Sequence, residues 1–389
     1  MSTEVPRPPG SQTSLRQANR ERVVQLLRSS GTLTQAEIAR NTGLSPATVS
    51  NVVRDLRAAG TVGVRATSAT GRRARAVSLL REPGMVVALE FGVDQLAVLV
   101  ADHDQRILAQ ERIPYDLAGE PERGLRRAAW LAETAMGQAR VDRGMVTRGT
   151  IAFPGPIDPD TGEVGATTVL PRWSGTRPAA ELATRLGITM VAENEANLAA
   201  VAEQGQGAAR DSRAMVYVHL SHGVGAGIVL DGRLVTGVAG TAGEIGHVTL
   251  DERGQVCRCG NRGCLETLAG APYLLAMVPR PTTDADTTAP ATLHDIVRAA
   301  QQEDPGCTRV LAEAGYAVGR GVAVLVNVFN PDRVVVGGAL ARGGELVLEP
   351  LRRAVDLEAL PSALNRAVVV PGQLADQAAL RGAVQYALA

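Results

Sequence analysis

Lysine does not occur anywhere in this chain, so every fixed side-chain cation is a guanidinium. Aromatic residues make up only 3% of it; cores built on rings are excluded, and Val, Leu, Ile and Ala must fill them. Cysteine is scarce too, with four residues, three of them (Cys257, Cys259 and Cys264) inside eight positions. That count and clustering argue against a disulfide framework and suit metal ligation in a reducing compartment. No apolar run approaches the roughly 18 residues that a membrane span requires. The opening segment "MSTEVPRPPGSQTS" has no apolar stretch of the kind a secretory signal needs. The expectation is a cytoplasmic protein with no membrane partner.

What is present is a 389-residue chain, 45% hydrophobic, with a formal net charge of zero. Its length implies two or three domains with full-sized cores. The zero hides an asymmetry. Residues 1–82 hold 13 Arg against 5 acids, a balance of +8, and the remainder carries −8. A basic head on an acidic body points to a polyanionic partner for the head alone.

After a Pro-, Ser- and Gly-rich segment, expected as a flexible tail over 1–17, residues 18–82 read as three helices and a hairpin. "QANRERVVQLLRSSG" puts Val23, Val24, Leu26 and Leu27 on one side and stops at Gly31. "LTQAEIARNTG" begins with Thr34 and Glu37 in capping-box spacing and ends near Gly43. "LSPATVSNVVRDLRAAG" has Ser45 as cap and Pro46 at the first helical position. Val49, Val52, Val53 and Leu56 form its buried stripe. Ala47, Thr48, Ser50, Asn51 and Arg54 occupy the opposite face, small and polar as a helix entering a major groove should be. Two strand-like stretches then flank a tip with Gly71, Arg72, Arg73 and Arg75, read as a basic wing meeting phosphates or a minor groove. The set reads as a winged helix-turn-helix that binds DNA. The competing reading is a three-helix protein-interaction module.

Residues 83–389 read as α/β. "MVVALEFGVDQLAVLVADHDQRILAQERI" gives a three-stranded meander with turns at Gly92–Asp94 and Asp102–Gln105. Helical patterns follow over 121–143, and then a strand runs into "FPGPIDPDTG". "MVYVHL" and "GAGIVLDGRLV" repeat the strand–turn–strand theme. The near-duplication implies two related lobes with a cleft between them.

Five segments carry a resemblance. "HLSHGVGAGIVLDGRLVTGVAGTAGEIGH" contains an ExGH motif at Glu244–His247, and "CRCGNRGCLE" has the form CxCGxxGCxE. "PGPID", "ENEAN" and "NPDRVVVGGAL" complete the set. The body resembles the ROK family (repressors, open reading frames and kinases). That resemblance implies an actin-like, ribonuclease-H-like fold of two lobes. A winged helix-turn-helix ahead of such a body is the family's repressor architecture. The resemblance also implies a sugar site made by Asn194, Glu195, Glu244, His247 and Glu266, with backbone from Gly155.

His247 with Cys257, Cys259 and Cys264 makes a Cys3His donor set, the closed kind that structural Zn2+ takes, over a loop spanning 247–264. The competing reading is three packed cysteines beside a core histidine; glycines crowded around cysteines are a poor recipe for packing. Cys307 stands apart and reads as a packed thiol.

A kinase needs backbone amides around nucleotide phosphates and a carboxylate base. Where the family's kinases have DxGGT, this chain reads "EFGVD", with Glu90, Val93 and Asp94 in place of the acid, the second glycine and the threonine. Where they have GTGxG it reads "SHGVG", with Ser221 and His222. The family's catalytic aspartate becomes Glu195. The expectation is therefore not an enzyme but a sugar-responsive transcriptional regulator, a repressor of carbohydrate genes, acting as a homodimer or homotetramer on operator DNA. The alternative is a sugar kinase with an appended DNA-binding head.

Overall fold

The computed structural model describes residues 12–58, 61–69, 72–79, 84–166, 169–278 and 290–389. They fall into two units, Met1–Gly84 and Met85–Ala389.

In the first unit the order is α1 (Gln12–Ser30), β1 (Leu33–Thr34), α2 (Gln35–Thr42), α3 (Pro46–Ala58), β2 (Val62–Ala69) and β3 (Arg72–Leu79). The capping box forms: the Glu37 N–H donates to Thr34 Oγ1, and the Thr34 N–H donates to Glu37 Oε2. Gly43, at φ 71°, ends α2 in the left-handed conformation that glycine adopts without strain. Ser45 caps α3, its hydroxyl accepting from the Thr48 N–H at 3.1 Å. The expected stripe of Val49, Val52, Val53 and Leu56 is buried against Val23, Leu27, Ile38, Val62 and Val77. β2 and β3 pair antiparallel, and β1 lies on the other side of β3.

Two details differ from the sequence reading. β1, two residues long, is too short to show any alternation. Helix α1 begins at Gln12, inside the segment expected as a tail, while residues 1–11 lie outside the described residues. Gly71, at the expected wing tip, lies outside them as well.

The second unit opens with β4 (Met85–Phe91), β5 (Gln95–Ala101), β6 (Ile107–Pro114), α4 (Pro121–Ala139), β7 (Val146–Phe153), α5 (Pro178–Leu186) and β8 (Met190–Asn194). It continues with α6 (Glu195–Gln206), β9 (Ala214–Leu220), β10 (Val224–Leu230), β11 (Arg233–Val235), α7 (Glu266–Ala269), α8 (Ala271–Met277) and α9 (Leu293–Gln301). The last elements are α10 (Pro305–Phe329), β12 (Arg333–Gly337), α11 (Glu345–Glu358), α12 (Pro361–Leu364), β13 (Val368–Pro371) and α13 (Ala378–Ala387).

The two five-stranded sheets have the orders β6-β5-β4-β7-β8 and β11-β10-β9-β12-β13. Each is an antiparallel meander extended by two parallel strands. This is the duplication that the sequence implied. Helices α6 and α13 run between the sheets. Ala196, Ala199 and Ala200 of α6 pack on Met215, Tyr217 and Val229 of the second sheet. Leu380, Ala383 and Val384 of α13 pack on Val86, Ala88 and Leu99 of the first, together with Leu198 of α6. Their approach depends on Gly382, where an added Cβ would sit 1.8 Å from the Leu198 carbonyl oxygen.

Helix α10 has no uninterrupted apolar run of spanning length, since Arg309, Glu313 and Arg320 break it. By length and composition it could cross a membrane, yet 67% of its most apolar window is buried. Its Leu311, Ala314, Val318 and Val322 belong to the second lobe's core. Such a core helix passes the same test as a span because a helix apolar on most of its faces is needed wherever it is buried on most of them.

Replacing Gly382 with Val forces the two central helices apart. We expect a loss of about 2–3 kcal/mol, the upper range for overpacking. In urea unfolding this lowers the midpoint with the slope unchanged; an unaltered midpoint would show that the contact is not tight.

Candidate functional site

The expected site residues all sit where strands give way to helices or turns, and each is placed by a local backbone device. Asn194 ends β8 and caps α6: its Oδ1 accepts from the N–H groups of Ala196 and Asn197, at 2.8 and 3.3 Å. Its Nδ2 donates to the Gly155 carbonyl at 3.1 Å, pinning the "PGPID" loop to the helix start. One amide hydrogen remains for a ligand. Glu195, the first residue of α6, lies beside the end of β9, with Oε1 3.4 Å from His219 Nε2. Glu244 precedes and His247 ends a single helical turn, Ile245–His247. Gly243 fixes the entry to that turn. Its φ is 94° and a Cβ there would meet the Ala226 carbonyl oxygen at 1.9 Å, so only glycine fits.

The cysteine loop closes on itself and on that turn. The donor atoms of His247, Cys257, Cys259 and Cys264 all lie within 4.8 Å of one another. Cys259 Sγ is 3.7 Å from Cys264 Sγ, and His247 Nδ1 is 3.8 Å from Cys257 Sγ. A tetrahedral centre with metal–sulfur bonds of about 2.3 Å has edges of about 3.8 Å. The four residues therefore fit one metal ion, with no protein position left open. Gly263 makes the loop possible, since a Cβ there would lie 1.5 Å from the Asp251 carbonyl oxygen. Cys307 is buried elsewhere, on α10, as expected of a packed thiol.

His247 has two faces. Nδ1 looks at Cys257, while Nε2 lies 3.9 Å from Glu244 Oε2. The two ring nitrogens thus face different groups, a thiol and a carboxylate. Metal-ligating imidazoles usually give their second N–H to a carboxylate or carbonyl, which fixes the tautomer. Burial holds the Glu244 carboxyl above its ordinary value, against the opposing pull of His247, and the nearby Glu266 charge adds to the rise. Glu266 is 2% exposed. Its Oε1 is held by Arg258 Nη2 at 3.0 Å, and its Oε2 lies over Gly223, where a Cβ would come within 2.7 Å.

A further group of acids, Glu90, Glu195 and Asp94, lies within electrostatic reach of one another. Glu90, at the end of β4, is 7% exposed. It accepts from Gln95 Nε2 at 3.1 Å and lies 3.5 Å from Arg112 Nη2. Burial pushes its carboxyl up to about 7, Arg112 opposes this, and Glu195 and Asp94 add to the rise. Burial also pushes Glu195 up to about 7 and takes His219 down to about 4. That contact is therefore a neutral imidazole facing a carboxyl that keeps its proton unusually long. His222 is lowered as well, first by burial, with Asp94, Arg258 and His219 near enough to act on it. Glu195, His219, His222, Arg258, Glu266, Glu244 and His247 thus form one continuous run of interacting groups.

Sequence reasoning missed Arg258, His219 and Glu203. His219 carried a readable signal, since it shares strand parity with Met215 and Tyr217, whose side chains face α6. Arg258 carried none. Glu203 is fully buried in α6 and accepts from the N–H groups of Ala208 and Leu374, at 2.7 and 2.9 Å. It ties the two central helices to the second sheet's edge. In the first unit, Ser45, Pro46, Ala47, Ser50, Asn51 and Arg54 are exposed along one side of α3, and Thr48 is half-buried. Arg75 is exposed on β3. Arg72 and Arg73 open the same strand, and their side chains lie outside the described residues.

Two sheets of the same topology with a pair of helices between them define an actin-like domain of two lobes. The ROK family model matches residues 86–389, and the chain belongs to that family. A model of a domain of unknown function, DUF7343, matches residues 17–73. The chain is 28% identical to the xylose repressor of Caldicellulosiruptor bescii over 386 residues, 96% of each chain. It is similar, at TM-score 0.78 and 25% identity over 96% of each chain, to the crystal structure of a ROK family transcriptional regulator described as a homologue of the E. coli MLC protein. It is also similar to a ROK family glucokinase from Streptomyces griseus solved with glucose and AMPPNP. There the TM-score is 0.70 at 26% identity, over 78% of this chain and 99% of that one.

The raised Glu90 carboxyl has a testable sign. Below about 4.5 it is protonated folded or unfolded and costs nothing. Between 4.5 and about 7 the unfolded chain ionises while the folded state resists, so stability falls as pH rises, and above about 7 the loss is complete. Glu90→Gln lacks this loss. Unfolding midpoints of the two proteins, followed from pH 4.5 to 8, should diverge across that window in favour of the variant. Parallel profiles would show that the carboxyl is not perturbed.

Proposed function

We propose that this chain is a sugar-responsive DNA-binding transcriptional repressor of carbohydrate genes, and not a kinase. The observation that carries the reading is the contrast between the two sides of the cleft. On the sugar side, Asn194, Glu195, Glu244, His247 and Glu266 stand in the family's motifs, converging carboxylates, an amide and an imidazole of the kind that bind vicinal hydroxyls. On the phosphate side, the first loop holds Glu90 buried, the side chain of Val93 and an exposed Asp94. Asp94, an acid where the family's kinases have a threonine, repels polyphosphate, and the Val93 side chain keeps it from the backbone that a second glycine would expose. Similarity to a repressor across 96% of the chain, head included, supports the same reading.

The metal fitting the Cys3His set is zinc in this proposal, and its contribution is to lock the loop of residues 247–264. The first unit is a winged helix-turn-helix: α2 and α3 form the turn pair, α3 enters the major groove through Ser50, Asn51 and Arg54, and the β2–β3 hairpin is the wing. Sugar acts by linkage. It favours one arrangement of the lobes, and that arrangement changes the affinity for operator DNA. Two half-sites require two heads, hence a homodimer or homotetramer.

The alternative, a sugar kinase carrying a DNA-binding head, draws on Glu195 at the position of the family's base and on the similarity to a glucokinase. Gel-shift titrations with the chain's own upstream DNA, with and without a panel of sugars, separate the two. A sequence-specific complex whose affinity changes with one sugar is expected, with no sugar-dependent ATP consumption. Brisk ATP turnover with any monosaccharide would contradict the proposal. Neutralising Arg72, Arg73 and Arg75 to Gln should weaken binding to all sequences and lower the salt slope by about 0.9 for each phosphate no longer neutralised. Substituting Asn51 should instead change sequence preference.

A further inference from the structure

The three clustered cysteines are not equivalent. Cys259 is exposed, while Cys257 and Cys264 are buried. The cause is local. Residues Cys257 to Gly260 make a tight turn, closed by the Gly260 N–H donating to the Cys257 carbonyl at 3.0 Å, and Cys259 rides on its tip. A Cβ added at Gly260 would meet nothing within 4 Å, so the tip stands in open space. Cys264 is the opposite case. The Thr267 hydroxyl donates to its carbonyl at 2.7 Å, and it pairs with Thr249 in a β-bridge just ahead of α7. One thiol is thus anchored in the lobe and the other carried outward, with their sulfurs 3.7 Å apart. A disulfide needs about 2.05 Å, a short approach for a surface turn. Cys257, one residue from Cys259, would have to close a much tighter ring.

We propose that Cys259 is a site of reversible oxidation by hydroperoxides, with Cys264 as its resolving thiol, and that this oxidation disarms the loop. Its consequence for the cleft rests on the zinc reading; its chemistry does not. Metal ligation holds cysteines as thiolates, and oxidation follows thiolate character and exposure. The Cys259 thiolate attacks one oxygen of hydrogen peroxide. The O–O bond breaks, a sulfenic acid forms, and the other oxygen leaves as water after taking a proton. The Cys264 thiolate then attacks the sulfenic sulfur; the S–S bond forms and the second oxygen leaves as water with a second proton. Two thiolates have lost two electrons and the peroxide has accepted them. Two of the four donors in the Cys3His set are then a disulfide. The effect reaches the cleft through Arg258, which stands between Cys257 and Cys259 and holds Glu266, whose side chain is 3% exposed. A turn pulled out of place withdraws the cation from a buried acid, which leaves that charge uncompensated.

The test is peroxide treatment of the full zinc-loaded chain, with zinc content measured beforehand. Zinc release is followed with a chromogenic chelator, and the cysteines are mapped by alkylation, trypsin and mass spectrometry. Cleavage after Arg258 and Arg262 puts Cys257, Cys259 and Cys264 into three different peptides, so the linkage is read directly. The expected result is a Cys259–Cys264 disulfide, loss of the bound zinc in step with it, and reversal of both by dithiothreitol and added zinc. Cys307, buried on α10, should remain a thiol and serves as the internal standard. Cys264→Ser should leave Cys259 as a sulfenic acid that dimedone traps, in a variant whose folding circular dichroism confirms. Alkylation of the wild type at short times gives the same order of reactivity without any variant. First oxidation at Cys257 or Cys307 would overturn the proposal. So would a cluster that keeps its thiols and its zinc under peroxide that oxidises free cysteine in the same solution. Protein isolated without zinc would overturn the zinc reading alone, since the mapping still reports whether Cys259 reacts first and pairs with Cys264.

Discussion

Much of the body's functional geometry turns on one imidazole. His247 presents Nδ1 to the cysteine cluster and Nε2 to Glu244, so whatever immobilises the first nitrogen orients the second. A hydrogen bond to a flexible histidine would order little. A ring held by a tetrahedral centre is as fixed as the fold can make it, and the loop bearing Cys257, Cys259 and Cys264 is fixed with it. That loop also contributes Arg258, which holds Glu266 through Oε1. Two of the acids, Glu244 and Glu266, are therefore contacted by one small loop, which a metal at the Cys/His cluster would cross-link, rather than by a sheet or a long helix. Gly243 and Gly263 are the backbone conditions for it, each pressed against a carbonyl that leaves no room for a side chain.

The wall around Glu90 and Glu195 has different physics. Glu90, buried, and Glu195, half-buried, hold their protons to about 7, and the Glu195 charge adds to the rise at Glu90. Their surroundings include neutral His219 rather than glycine amides. Such a wall can offer a hydroxyl-bearing ligand both hydrogen-bond donors and acceptors near neutral pH. The helices α6 and α13 connect the two walls, with Glu203 binding α6 to the backbone that leads into α13. These helices pack through small residues and, at Gly382, through close backbone contact.

Much of this is legible in the sequence because it is local. The capping box at Thr34 and Glu37, the stripe on α3 and the meanders all follow from spacing alone, and the Cys/His cluster comes from a short motif. What is not legible depends on the third dimension. The tail boundary is misplaced because a polar helix start has no apolar period, and α1 takes up Gln12 onward. The spanning length of helix α10 is hidden because Arg309, Glu313 and Arg320 interrupt its apolar runs, although the mean over the window stays high. Arg258 is one arginine among many until the loop folds it onto Glu266. Asn194 shows the reverse case. Its motif marks it as a sugar contact, and the fold spends most of its hydrogen-bonding capacity on capping α6 and tethering Gly155.

The central claim is that a metal-locked loop holds a carbohydrate pocket in binding-competent shape. The most direct measurement is the thermal shift of the purified protein across a panel of sugars, before and after the metal is removed by chelation and again after zinc is restored. A ligand selective for the native state raises the melting temperature. The account predicts a shift with one sugar class in the zinc-loaded protein, its loss on chelation, and its return with zinc. An equal shift in metal-free protein, or purified protein with no bound zinc that still responds to the sugar, would contradict it.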